Sequence, residues 1–311
     1  MIQTVTSLEM PVDEEFRIVK NHLSNGKGKR LCIVTGTHGD ELEGQYMCYL
    51  VAKMVNENLH LLKGSIDIYP ALNPLGIDTM QRGVPAFDLD MNRIFPGDSR
   101  GSMIEKVAHD IYTDLSGADM VIDIHASNIF LREIPQVRIS ELTAPQLVPY
   151  AQTMGIGFIW IHQAATVLES TLAHALNSTG TPCLVVEMGV GGRISHSMCR
   201  KLLPGIQNLM HSMGMWTQAP DPADIGQSTV CQGDTVAFLN APTSGIFVTE
   251  IHNDRMVHKG QQIGQIVQPL TGQVTSEIIS PCDGLLFTIR AYPIVYEGSL
   301  VGRIFKTSQE Q

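Results

Sequence analysis

Three side chains in this sequence have the types and spacing to hold a metal ion: His38, Glu41 and His125. In Thr35-Gly-Thr-His-Gly-Asp-Glu41 the histidine and glutamate are close enough to reach one ion from a single turn. Imidazole nitrogen and carboxylate oxygen suit borderline-soft Zn²⁺, and a catalytic zinc keeps one position for water. A third ligand must then come from elsewhere, and His125, just beyond the apolar run Met120–Ile124, supplies it. The bland alternative is real, since His-x-x-Glu arises by chance and a histidine ending a strand more often closes a hydrogen bond. None of the other histidines, His162 included, has neighbours that complete a ligand set.

Two more blocks carry chemistry. Arg82, Asn92 and Arg93 lie in and just before Asp88-Leu-Asp-Met-Asn-Arg-Ile-Phe-Pro-Gly97. They are donors able to clamp a carboxylate or polarise a carbonyl, and the planar arginine fork bonds a carboxylate at two points. The competing reading is an ordinary loop whose Pro and Gly set turns. Glu187 closes the apolar run Leu184-Val-Val-Glu187. A carboxylate there is costly unless satisfied or functional. Beside a metal-activated water it would serve as general base, because partial burial raises its pKa toward neutrality. Without a metal, a structural ion pair is the simpler account.

The elements that must position these residues alternate along the first two thirds of the chain. Strand-like runs are Leu31–Thr35, Ile66–Pro70, Met120–Ile124, Phe158–Ile161 and Cys183–Glu187. Helix-period stretches lie between them: Leu42, Met47, Leu50, Val51, Met54, Val55, and later Met103, Ile104, Val107, Ile111 and Leu115. This alternation implies an α/β fold with a mostly parallel sheet flanked by helices. His38, Asn73, His125 and Glu187 all fall at or near the carboxyl ends of these runs, the edge where open α/β sheets bind ligands. Gly36 and Gly39 fit a tight turn that lets backbone come close to a site.

The pattern changes near Pro220. Ala219-Pro-Asp-Pro-Ala-Asp-Ile-Gly226 reads as a linker, which divides the chain into a hydrolase unit over 1–218 and a small β domain over 219–311. Ala241-Pro-Thr-Ser-Gly-Ile-Phe247 and Ser280-Pro-Cys-Asp-Gly-Leu-Leu-Phe287 resemble each other, and Gly-x-x-x-Gly turns follow at Gly260–Gly264 and Gly298–Gly302. The repeat is similar to a biotinyl or lipoyl carrier, a barrel-sandwich of two halves. No lysine occurs from Gln261 to Pro281 to take a cofactor, so the expected role is structural, or a wall of the substrate pocket.

Composition sets the outer limits. Of 311 residues 43% are hydrophobic and 17% charged, enough for a full core, and the net charge of −10 argues against a nucleic-acid partner. The acidic start lacks a signal-peptide layout, and no apolar run spans a bilayer. The six cysteines form no C-x-x-C pair; Cys32 and Cys183 read as small hydrophobes in strands. The expectation is a soluble, reduced, cytoplasmic protein that uses no membrane.

Together, His38-Gly-Asp-Glu41, Asn73-Pro-Leu-Gly, Asp90-Met-Asn-Arg-Ile-Phe-Pro-Gly97, Asp123-Ile-His125 and Val186-Glu-Met-Gly189 resemble the succinylglutamate desuccinylase/aspartoacylase family of the zinc carboxypeptidase superfamily. Their order and spacing match across about 160 residues, and the β-rich last third resembles the family's second domain. The resemblance implies one Zn²⁺ per chain on His38, Glu41 and His125, with Glu187 as general base and proton shuttle. Arg82 would stabilise the oxyanion, and Asn92 and Arg93 would bind substrate. The implied activity is hydrolysis of the amide of a small N-acyl amino acid or related compound, by Glu187-assisted attack of zinc-activated water. A homo-oligomer is also what the resemblance suggests. One departure narrows the substrate: Asn177 stands where aspartoacylase has a carboxylate-binding arginine, and no Arg or Lys lies between Arg138 and Arg193. That argues against N-acetylaspartate, while Glu169-Ser-Thr-Leu172 is more similar to other deacylases of the family. The competing readings are a metallocarboxypeptidase or amidase for small peptides, and a non-catalytic zinc-binding protein.

Overall fold

Runs of apolar residues too continuous to face water on either side become the centre of one large sheet. The computed structural model describes residues 1–162 and 169–307. The chain opens with a hairpin, β1 (Ile2–Met10) and β2 (Glu14–Asn25), followed by β3 (Arg30–Thr35), α1 (Glu43–Glu57), β4 (Gly64–Tyr69), α2 (Pro74–Thr79) and α3 (Met103–Leu115). Then come β5 (Met120–Ala126), β6 (Leu131–Ser140), α4 (Ala144–Met154), β7 (Phe158–His162), α5 (Leu172–Ser178), β8 (Cys183–Gly189) and α6 (His196–Ser212). The order is β1-β2-β4-β3-β5-β8-β6, and β4-β3-β5-β8 are parallel. β5 is buried along its whole length, as a strand covered on both faces must be.

Helical periodicity decides which faces cover it. In α1, Met47, Val51 and Val55 sit one and two turns apart and pack, with α4 and α6, on Ile33, Ile122 and Val186. On the opposite face α3 buries Ile104, Val107, Ile111 and Leu115, and α5 buries Leu172 and Leu176, against Cys32, Val34, Val121 and Cys183. Ser102 and Glu105 start α3 with a capping box. Cys32 and Cys183 are thus buried small hydrophobes, and all six cysteines are reduced thiols.

Two strand regions were not anticipated. The β1–β2 hairpin extends the sheet antiparallel to β4, and of its apolar side chains Phe16, Ile18 and Leu23 are buried in an otherwise strongly charged segment. β6 pairs antiparallel with β8 and carries Glu133, Gln136 and Arg138 on the buried side, a pattern no simple alternation announces.

The remaining strands are β9 (Thr229–Gln232), β10 (Val236–Asn240), β11 (Gly245–Val248), β12 (Arg255–Val257), β13 (Gln262–Gln268), β14 (Gln273–Ile279), β15 (Gly284–Arg290), β16 (Ile294–Val295) and β17 (Leu300–Lys306). β10 to β17 form two matching layers, β10-β17-β15-β12 and β14-β13-β11-β16. β11 and β15 begin within the two similar Pro-containing segments, and each pairs with a short strand of the other half, so the repeat seen in the sequence is an exchange of strands. Ile263, Ile266, Leu286, Val301 and Ile304 fill the space between the layers. β9 pairs with β7 and β15 with β6, so these strands continue the main sheet. No helix among the described residues is long and apolar enough to cross a membrane.

Phe287 of β15 is fully buried, stacked on Phe158 of β7 with ring centroids 4.7 Å apart. Truncating a buried aromatic removes its transfer energy and leaves a cavity, so Phe287→Ala is expected to cost about 3–5 kcal/mol in a urea unfolding titration.

Candidate metal centre

The turn after β3 is shaped by backbone proximity. A Cβ on Gly39 would lie 1.9 Å from the carbonyl carbon of Gly76, so only glycine lets the loop lie against α2. Gly36 has φ of +70°, a conformation glycine adopts freely. The turn presents His38 and Glu41 at the carboxyl end of β3, and His125 arrives from the end of β5. One ligand atom from each lies within 4.8 Å of the others, and all three residues are buried.

Glu41 is the hub. Its Oε1 lies 2.7 Å from His38 Nδ1 and accepts from Arg82 Nη1 at 3.1 Å. Its Oε2 lies 2.9 Å from His125 Nδ1 and accepts from the Ala126 amide at 3.1 Å. Burial works against the charge, yet the imidazoles, His125 foremost, hold the carboxyl well below its usual range. The outer nitrogens are held too: His38 Nε2 lies 3.1 Å from Asp90 Oδ1, and His125 Nε2 3.1 Å from Asp123 Oδ2. Burial opposes protonation of both rings, but Asp90 and Glu41 raise His38, and Asp123 and Glu41 raise His125 well above ordinary imidazole. Imidazoles converging by one nitrogen while carboxylates fix the other are the arrangement that orients histidine ligands. The donor set therefore fits a divalent metal, with His38 Nδ1, Glu41 and His125 Nδ1 as the inner atoms.

The cluster opens into a cavity of about 480 Å³ lined also by Arg82, Asn92, Arg93 and Glu187. All the residues singled out from the sequence as ligands, base or donors therefore meet here. Glu187 stands beside His125 in the register of the parallel pair β5–β8. Burial pushes its carboxyl up to about 7, with Arg138 opposing and Glu133 reinforcing the shift. Arg82 also approaches Asp90, Nη2 lying 3.3 Å from Oδ2. Asn92 and Arg93 share a short turn that begins after Asp90, whose Oδ1 accepts from the Asn92 amide; Asn92 Oδ1 accepts from the Leu172 amide at 2.9 Å, fixing that turn to α5. Arg93 is 41% exposed and its guanidinium is 3.9 Å from Asp90, leaving it open to the cavity.

Asn73 is different. Its Oδ1 accepts from the Gly76 amide and its Nδ2 donates to the Gly83 carbonyl, so it caps α2 instead of facing the cavity. Asn177 does line the cavity, but its amide is committed to both backbone groups of Cys183, at 2.9 and 3.0 Å.

Sequence reasoning gave no role to Asp90 and Asp123, although both stood inside the motifs it used. It also missed Glu133, Arg138 and Arg303, which line the cavity from β6 and β17. The available signal was a charged residue interrupting an apolar strand, as in Leu300-Val-Gly-Arg-Ile-Phe305.

A catalytic-looking cluster at the carboxyl edge of a parallel sheet defines a broad class of α/β enzymes. Residues 27–213 match the model of the succinylglutamate desuccinylase/aspartoacylase catalytic domain, and the chain belongs to that family of deacylases. It is 24% identical over 279 residues to an N-alpha-acetyl-L-2,4-diaminobutyric acid deacetylase of Halomonas elongata, covering 87% of this chain and 80% of that protein. The fold is shared with the product-bound ectoine utilization protein EutE (DoeB) of Ruegeria pomeroyi, at TM-score 0.80 and 22% identity over 94% of this chain and 90% of that one. A succinylglutamate desuccinylase/aspartoacylase of Rhodobacter sphaeroides gives TM-score 0.80 and 22% identity over 98% and 95%.

Outer carboxylates of this kind typically contribute about 10–100-fold to metal affinity. Asp123→Asn is expected to lose that much in a chelator competition against a divalent transition metal. Because both imidazoles hold protons above the ordinary value of 6.5, affinity is expected to fall as pH is lowered through that region. Metal titrations at a series of pH values measure it; a flat profile would count against ligation by both rings.

Proposed function

We propose that this protein is a zinc-dependent deacylase that hydrolyses the amide bond of a small N-acyl amino acid. The observation that carries the reading is the pairing of two groups on adjacent strands. The His38–Glu41–His125 donor set sits at one strand end, and Glu187 stands next to His125 above the same cavity. The family and the Halomonas deacetylase support the same substrate class. In this reading residues 1–218 form the hydrolase unit and 219–311 a β unit that walls the cavity.

Zinc bound by His38, Glu41 and His125 would acidify water and polarise the amide carbonyl. Glu187, held near neutral pKa by burial, takes a proton from the attacking water and returns it to the leaving amine. Arg82, with a guanidinium that reaches the cluster, donates to the oxyanion of the tetrahedral intermediate. Arg93, with Asn92 fixing its turn, binds the α-carboxylate of the amino acid. The lining holds as many guanidinium groups as carboxylates, so a divalent cation makes it net positive and suited to an anionic substrate. The products are a carboxylic acid and a free amino acid.

Turnover of a panel of N-acyl amino acids and dipeptides, before and after chelation and zinc restoration, tests the proposal. N-acyl amino acids are expected to be cleaved and chelation to abolish it. Activity unaffected by chelator, in protein free of zinc, would overturn the zinc assignment. Glu187→Gln should keep zinc while kcat falls about 10²–10⁴-fold, the usual contribution of a general base. Arg93→Met should raise KM about tenfold or more with little change in kcat, as loss of a charge-assisted bond made equally in ground and transition states would.

A further inference from the structure

Arg303, Thr288 and Glu133 stand in one row across β17, β15 and β6. The row carries Arg303 to the cavity, where its Nη1 donates to Glu133 Oε1 at 2.6 Å. Glu133 is fully buried, and its Oε2 accepts from Arg138 Nη2 at 2.6 Å and Gln136 Nε2 at 3.0 Å. The other branch of Arg138 ends 3.3 Å from Glu187 Oε1. Trp160 is near both guanidiniums, its ring centroid 5.5 Å from Arg138 Cζ and 5.4 Å from Arg303 Cζ. Charges thus alternate along Arg303, Glu133, Arg138 and Glu187.

A regular strand would not build this line. Residues 133 and 138 are an odd number apart and would point to opposite faces. The register of β6 against β8 shifts between Glu133 and Gln136, around Pro135, and brings both side chains to the same face. Each buried charge is compensated only while its neighbours are in place, because an unpartnered one is strongly penalised.

We propose that Arg138 is a positioning residue for Glu187, held by Glu133 and by Arg303, so that the C-terminal strands are a working part of the catalytic centre. This rests on the reading of Glu187 as general base. The test uses the full chain loaded with zinc. Arg138→Lys keeps a cation beside Glu133, but a single ammonium does not clasp both carboxylates. It should lower kcat about ten- to hundredfold, the scale of a misplaced catalytic group, with KM, zinc content and thermal midpoint near those of the parent. Arg303→Met should lower kcat similarly, Arg303→Lys should recover most of the loss, and adding Arg303→Met to Arg138→Lys should cost nothing more.

Normal kcat in folded, zinc-loaded Arg138→Lys overturns the proposal, and so do losses that multiply in the double variant. If Arg303→Met fails to fold, Arg138→Lys decides alone. Glu187→Gln is measured beside them. Retained turnover there removes the base assignment, whereas an inactive Glu187→Gln with a normal Arg138→Lys removes this inference only.

Discussion

A single buried carboxylate, that of Glu41, ties together segments far apart in the chain. It takes contacts from His38 in its own turn, from Arg82 in the loop after α2, and from His125 and the Ala126 amide at the end of β5. A negative charge in that position is tolerable only because both its oxygens are partnered. The tight turn at Gly39 and the end of β5 bring two of those partners to it. The outer carboxylates fit the same picture, since imidazoles that converge on Glu41 are held from behind by Asp90 and Asp123.

How much of this was legible depended on the range of the interaction. The parallel strands showed themselves as apolar runs, because burial on both faces leaves little room for polar residues. The α1 and α3 helices were marked by repeats such as Val107, Ile111 and Leu115, a local signal. His38, Glu41, His125 and Glu187 could be grouped because strand ends can be read locally and share an edge. The β1–β2 hairpin was not, because Phe16 and Ile18 are its few fully buried apolar residues among many charges. Asn73 was grouped with the strand-end residues by position, yet a helix cap uses the same residue type at the same place.

The Glu133–Arg138–Arg303 group was hidden for a stronger reason. Its members become neighbours through β6–β15–β17 pairing and through a register shift, neither of which leaves a local pattern. A departure from period two in Leu131–Ser140 looks like noise in a sequence and like design in three dimensions. The cations of the cavity therefore come partly from elements that motif reading does not reach. That qualifies the weight given to Asn177: an arginine missing at one position does not make the cavity poor in arginine.

The two layers of C-terminal strands are built on one plan, with β13 in one half answering β17 in the other. Counted from the matching glycines, Gly264 and Gly302, Arg303 corresponds to Gln265. One copy of the repeat thus faces Glu133 with a guanidinium, while the other carries a neutral amide at the equivalent place. The same place on the scaffold thus does two things: in one half it only closes the sandwich by pairing, and in the other it also carries a charge into the cavity.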